Sequence, residues 1–224
     1  MGNPLFEERL RLGPVGVGDP TRDRLVRRYA YGIPGPDALE AIAAASPGGV
    51  VELGAGTGYW ARLLHERGVD VVAYDPNPTA DGANPSFDPA PAWFPVRVGN
   101  ANDVVRHPTR TLLLVWPTWD QSWPGDAAAI HHAAGGASLV FVGDGPGGLT
   151  GDSVLHALLG EYGSCLACGL GVVDAPCLCA VDELWHLVRR VPVARWAGGS
   201  DACCVYERVD APARTRRRRR RPAR

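Results

Sequence analysis

The sequence predicts a doubly wound α/β fold, with a mostly parallel seven-stranded sheet closed by an antiparallel C-terminal hairpin. Two observations carry this expectation. Residues 50–75 run as strand, glycine loop, helix and second strand, which is a βαβ unit and requires a parallel pair. Residues 111–116 (TLLLVW) and 138–142 (SLVFV) are continuous apolar runs of strand length, the pattern of strands buried on both faces.

The elements follow in order. Residues 1–20 are rich in Gly and Pro and read as loop or frayed helix. Residues 22–31 read as a short polar helix ending before Ile33-Pro34. Residues 37–45 (DALEAIAAA) place Leu39, Ile42 and Ala43 at helical spacing, with Pro47-Gly48-Gly49 as the stop. The strand 50–53 leads into Gly54-Ala55-Gly56-Thr57-Gly58, and the helix 59–67 buries Trp60, Leu63 and Leu64. The strand 69–74 is closed by Asp75-Pro76. Residues 77–95 are dense in Pro, Asn, Asp and Gly and form a long loop, a length that usually serves a function. A short strand is expected over 95–98, helices over 126–134 and 151–159, and the closing hairpin over 187–193 and 202–209, with Gly198-Gly199 near its turn. Three regions result: an N-terminal extension, 1–21; a domain, 22–210, carrying a Cys-rich insertion at 161–184; and a tail, 211–224.

The chain has 224 residues, 46% of them hydrophobic, which excludes wholesale disorder. No apolar run approaches the ~20 residues that span a bilayer, so no membrane partner is expected. The N-terminus has no basic stretch leading into an apolar run, so no signal peptide is read and the cytoplasm is the expected compartment. All 23 basic residues are Arg. Eight of them lie in residues 211–224, leaving 15 Arg against 24 acidic residues in residues 1–210, a net of −9. The tail has no apolar residue larger than Pro and is expected to be disordered. The run from Arg216 to Arg221 offers contact with nucleic acid, but the acidic body disfavours a broad phosphate-tracking surface.

The strongest signal is Glu52-x-Gly54-x-Gly56-x-Gly58 between a strand and a helix. Glycines there let the backbone turn sharply and approach a ligand, and the helix start offers free N–H groups. A dinucleotide fingerprint would need a third glycine where Tyr59 stands, and a phosphate-binding P-loop would need a Lys, which the chain lacks. Asp75, 17 residues after Gly58 at the end of the second strand, can accept both hydrogen bonds of a ribose diol. With this spacing and its leading acid, the loop resembles motif I of class I S-adenosylmethionine-dependent methyltransferases. The resemblance implies a Rossmann-like sheet, S-adenosylmethionine as cofactor, and Asn100, after the third strand, as acceptor for the adenine amine. It extends to Arg28-Tyr29-Ala30-Tyr31-Gly32-Ile33-Pro34, to Ala73-Tyr74-Asp75 and to Trp196…Asp201…Val205-Tyr206-Glu207-Arg208. These resemble a set of bacterial methyltransferase-like proteins whose fourth strand ends in Trp-Pro-Pro-Tyr; here it ends Trp116-Pro117-Thr118-Trp119. The implied cofactor-binding set is Tyr31, Glu52, Gly54, Gly56, Gly58, Asp75, Asn100 and Trp116.

Methyl transfer is an in-line displacement that needs positioning and the exclusion of water. Ligands of doubly wound sheets sit beyond the C-terminal strand ends. Trp116 and Asp144 are therefore the catalytic candidates: Trp116 as packing on adenine or substrate, Asp144 as base or amine anchor facing the methyl group, with Asp120 behind it. Trp119 and Trp123 are read as pocket walls. His131 and His132, adjacent on a helix, point to different faces and are read as surface residues, with one of them lining the pocket as the alternative. No metal site is assigned. Cys165, Cys168, Cys177 and Cys179 could make a tetrahedral zinc site, or be inert or redox-labile thiols, and the spacing leaves that open. The expected function is transfer of a methyl group to a small-molecule N or O acceptor in specialised metabolism. Two alternatives stay open: a methyltransferase fold that binds cofactor or nucleotide without transfer, and a nucleic-acid methyltransferase assisted by the Arg tail.

Overall fold

The sheet order is β3-β2-β1-β4-β5-β7-β6, where β1 is Val50–Leu53, β2 Val71–Asp75, β3 Val96–Val98, β4 Thr111–Val115, β5 Ser138–Gly143, β6 Trp185–Pro192 and β7 Ala202–Arg208. The computed structural model describes residues 2–81, 84–87, 90–162 and 183–210. The four cysteines at 165, 168, 177 and 179 and the Arg tail lie outside the described residues. Strands β3 to β5 are parallel; β7 runs antiparallel to β5 and to β6. The chain winds outward from β1 to β3, then crosses back to β4, so the strand order reverses between β1 and β4.

The period-2 pleat divides the core into two layers. Val50, Leu113, Val115, Val140, Val142, Cys203 and Val205 face the first. Val51, Leu53, Leu112, Leu114, Leu139, Phe141, Cys204 and Tyr206 face the second. The first layer is covered by α1 (Pro4–Arg11), α2 (Pro20–Arg28), α3 (Pro36–Ala44) and α4 (Tyr59–His65), through Leu5, Leu25, Leu39 and Leu63. The second is covered by α5 (Trp123–Ala133) and α6 (Ser153–Leu158), through Ala127 and Leu155. Strands buried on both faces explain the unbroken apolar runs of β4 and β5.

The N-terminal stretch departs from the expected loop or frayed helix. Asn3 caps α1 by accepting from the Phe6 N–H at 3.3 Å, and Pro4 occupies the first turn, where a missing N–H costs nothing. Asp19 and Pro20 repeat the device on α2. Helix α1 is tied down at long range: the Tyr59 hydroxyl donates to Asn3 Oδ1 at 2.9 Å, and Leu5 is fully buried. Leu5→Ala should therefore lower unfolding free energy by about 2–5 kcal/mol, the range for a buried leucine that leaves a cavity. The urea midpoint checks this; an unchanged midpoint would mean that α1 contributes nothing to the core.

Candidate active site

Three glycines shape the turn from β1 to α4. Gly54, Gly56 and Gly58 have φ of +73°, +54° and +74°, the left-handed region that glycine enters without strain. The turn is hooked to the end of β2. The N–H groups of Gly54 and Ala55 donate to the Tyr74 carbonyl at 2.9 and 3.0 Å, and that of Gly56 donates to Asp75 Oδ2 at 2.9 Å. Side chains crowd the loop: a Cβ on Gly56 would overlap the Phe87 ring, and one on Gly54 would come 2.8 Å from the Trp123 ring.

A cavity of about 490 Å³ opens beside this turn, where the strand order reverses. That volume suits a small-molecule ligand. Two carboxyl groups line it. Glu52, on β1, is buried, and its Oε2 has no hydrogen-bond partner among the described residues. Burial pushes its pKa up to about 8; the Ala61 backbone N–H opposes this and the nearby Asp75 charge adds to it. Asp75 accepts from the N–H groups of Asn77 (2.8 Å) and Gly56 and from Asn84 Nδ2 (3.4 Å). Burial raises its pKa against those bonds.

An aromatic wall closes the other side. Tyr31 stacks on Trp116, with centroids 5.6 Å apart and planes at 21°, and meets Phe87 edge-on at 5.6 Å. Trp116 has φ of +47°, a strained value for a side chain of this size, and is held by its N–H donating to the Val142 carbonyl at 2.8 Å. Thr118, Gln121 and Trp123 continue the lining, whereas Trp119 is 61% exposed and does not reach it. Tyr31, Glu52, Gly54, Asp75, Asn100 and Trp116 of the sequence-derived set thus line one cavity. Gly56 and Gly58 lie in the turn beside it.

Three placements correct the sequence reading. Asp144 does not line the cavity. Its carboxylate accepts from Ser200 N and Oγ at 2.6 and 2.9 Å and from Leu149 N at 3.3 Å. Burial acts to raise its pKa, but these bonds and one from Asp201 outweigh it and hold the group below the usual carboxylate range, so it is a poor base. The Asn100 side-chain oxygen caps the 3-10 turn Ala101–Arg106, accepting from Asn102 N at 3.0 Å, while the Asp103 carboxylate accepts from Asn100 N at 2.8 Å. His131 is a core residue rather than a surface one: it is fully buried, stacked on Trp185 at 5.8 Å, and burial pushes its pKa down to about 4. Sequence reasoning missed Phe87 and Asn84, since a Pro- and Asn-rich loop shows no periodicity to say which side chain turns inward.

Residues 25–126 match the family model of a methyltransferase domain. The matched segment is similar to a methyltransferase domain. The matched residues hold β1 to β4, the glycine turn, Asp75 and Trp116. No curated protein matches the chain in sequence. Among solved structures, a protein from work on the conversion of a disulfide bond into a thioacetal group during echinomycin biosynthesis is 20% identical, with 78% of this chain and 82% of that one covered and a TM-score of 0.42. The magnesium protoporphyrin IX methyltransferase of Synechocystis PCC 6803, bound to S-adenosylhomocysteine, is 10% identical, covering 92% and 96%, with a TM-score of 0.40. A 16S rRNA adenine methyltransferase variant from Catenulisporales acidiphilia is 15% identical, covering 81% and 94%, with a TM-score of 0.40. Among the described residues no helix is long and apolar enough to cross a membrane.

The cavity carries a signature in pH. Glu52 is protonated in the fold up to about pH 8, against 4.5 for a free carboxyl. A group raised in this way stabilises the fold fully below its unfolded value and loses that stabilisation as pH rises through the folded one. Glu52→Gln stays neutral throughout. Its melting temperature relative to wild type should therefore climb between pH 4.5 and 8 and level off above, in melts without cofactor. A constant difference across that range would show that Glu52 does not titrate this way.

Proposed function

We propose that the cavity beside the glycine turn holds S-adenosylmethionine and presents its methyl group to a small-molecule acceptor, with nitrogen favoured over oxygen. One observation carries the reading: a buried Glu52 carboxyl with one oxygen unpartnered and the Asp75 carboxylate flank a turn built on three left-handed glycines, at one small-molecule-sized cavity. The residues suit the cofactor. Asp75 is the acceptor for the ribose hydroxyls, the orphaned Glu52 oxygen meets a polar or cationic group of the ligand, and the turn gives close backbone approach. Ala101 and Asn100 border the adenine end, with the Asn100 oxygen already engaged as a cap.

Bound there, S-adenosylmethionine supplies an electrophilic sulfonium methyl. The chain supplies position and dryness. Tyr31, Phe87 and Trp116 exclude water, and Gln121 and Thr118 offer neutral hydrogen-bonding groups for an acceptor. Among the described residues lining the cavity, the carboxyl groups are those of Glu52 and Asp75, both at the glycine end, and no imidazole joins them. An amine that arrives neutral needs no base and reacts through alignment alone, whereas a hydroxyl would lack one. The net of −9 over residues 1–210 supports a small acceptor over a phosphate-rich one.

Calorimetry with S-adenosylhomocysteine tests the reading. Asp75→Ala should weaken binding by about 1–3 kcal/mol, the value of hydrogen bonding to a charged group. Gly56→Val should reduce it further, because a branched side chain is strained at φ of +54° and collides with Phe87. Unchanged affinity in folded Asp75→Ala protein would remove the cofactor from this cavity.

A further inference from the structure

Residues 84–87 form a turn that stands on two features a ligand of this cavity would use. Asn84 is buried, and its side chain holds the turn together. Its Oδ1 accepts from Ser86 N at 3.1 Å, and its Nδ2 donates to the Asn77 carbonyl at 2.8 Å and to Asp75 Oδ1 at 3.4 Å. The Phe87 N–H donates to the Asn84 carbonyl at 3.2 Å. The Phe87 ring lies on Gly56: the three atoms nearest a Cβ built there all belong to that ring. Gly54 and Ala55 line the cavity, whereas Gly56, beneath the ring, is buried and does not.

We propose that the turn 84–87 is a strap seated on the cofactor's contact points, and that it must lift from Gly56 and Asp75 before S-adenosylmethionine can enter. The proposal rests on the reading of this cavity as the cofactor site. The Asp75 carboxylate argues for it by its capacity. An ionised carboxylate has about four lone-pair positions. Asp75 commits three of them, to the N–H groups of Gly56 and Asn77 and to the Asn84 amide. A ribose diol brings two donors, so one present bond has to yield. The Asn84 bond is the longest, and its Nδ2 keeps the Asn77 carbonyl when it lets Asp75 go. The ring argues for the same movement: the close approach to the backbone that Gly56 permits is taken up by Phe87. A ring turned from Gly56 toward Tyr31, which it already meets edge-on at 5.6 Å, still closes the aromatic wall. The far end of the same loop is held differently. Trp93 N donates to the Thr57 carbonyl and its indole to the Arg28 carbonyl, both at 2.8 Å. That end is pinned by two regular bonds, whereas the strap meets the glycine turn and Asp75 through a ring contact and one long bond.

Surface plasmon resonance with S-adenosylhomocysteine on the full-length protein tests this through the association rate constant. The apparent constant scales with the fraction of time the site is open, so a strap seated for about nine-tenths of the time slows association about tenfold. Phe87→Ala removes the ring and should raise the constant towards that factor. Asn84→Ala releases the turn from Asp75 and Asn77 and should raise it as well; it carries the test if Phe87→Ala does not fold. Binding to Phe87→Ala but not to wild type is the same result for a strap that is almost always seated. An association constant in folded Phe87→Ala equal to or below that of wild type, with binding retained, overturns the strap and leaves the cofactor site standing. No binding to wild type or to either variant removes the cofactor from this cavity, and the strap with it.

Discussion

Three successive amides of the glycine turn, those of Gly54, Ala55 and Gly56, donate to the last two residues of β2. Much of the site follows from that attachment. It stops the turn from following β1 further, and so forces the left-handed conformations that glycine supplies. It draws the Asp75 carboxylate against the loop. It also leaves Glu52, two residues before Gly54, buried at the base of the cavity with one oxygen unpartnered. A single amide or carboxyl displaced here would alter the turn, the Asp75 carboxylate and the cavity together.

The frame around this attachment is rigid for ordinary reasons. Strands β1, β4 and β5 carry apolar residues on both faces, so neither layer of helices can slide without exposing core. Most polar groups near the site have assigned partners. Asp152 caps α6 and also accepts from Gly125 N, and His156 bridges Glu161 and the Thr150 carbonyl. Glu52 and Trp116, which line the cavity, carry buried atoms with no regular bond, as Arg22, Ser46, Arg62, Thr79, His131 and Asp201 do elsewhere among the described residues.

What the sequence revealed depended on whether a signal was local. The strand 50–53 matches β1 residue for residue, because four apolar-flanked positions and a glycine motif delimit it. Glu52, Asp75 and Trp116 were legible because a strand end fixes which end of the sheet a residue reaches. Asp144 also stands at a strand end, yet its carboxylate turns away to Ser200, 56 residues later; position along the strand was readable, side-chain direction was not. Helix α1 was hidden because its Pro and Gly neighbours read as loop, while the contacts that hold it, such as Tyr59 to Asn3, span 56 residues. His131 looked like surface since polarity is a poor guide when an aromatic neighbour as distant in sequence as Trp185 offers a face to stack on.

The β6–β7 connection buttresses Tyr31 from 165 residues away in sequence, and Arg9 reaches the Arg195 carbonyl across 186. Contacts of such long sequence separation close late, after the entropy of the intervening loop has been overcome. A ribosome making this chain from the N-terminus releases the glycine turn and both acids long before the residues that brace the aromatic wall. The nascent polypeptide can therefore assemble the glycine end of the cavity first. The wall gains its Trp196 brace only after β6 has been made, so a chain truncated at the end of β6 would lack the support behind Tyr31.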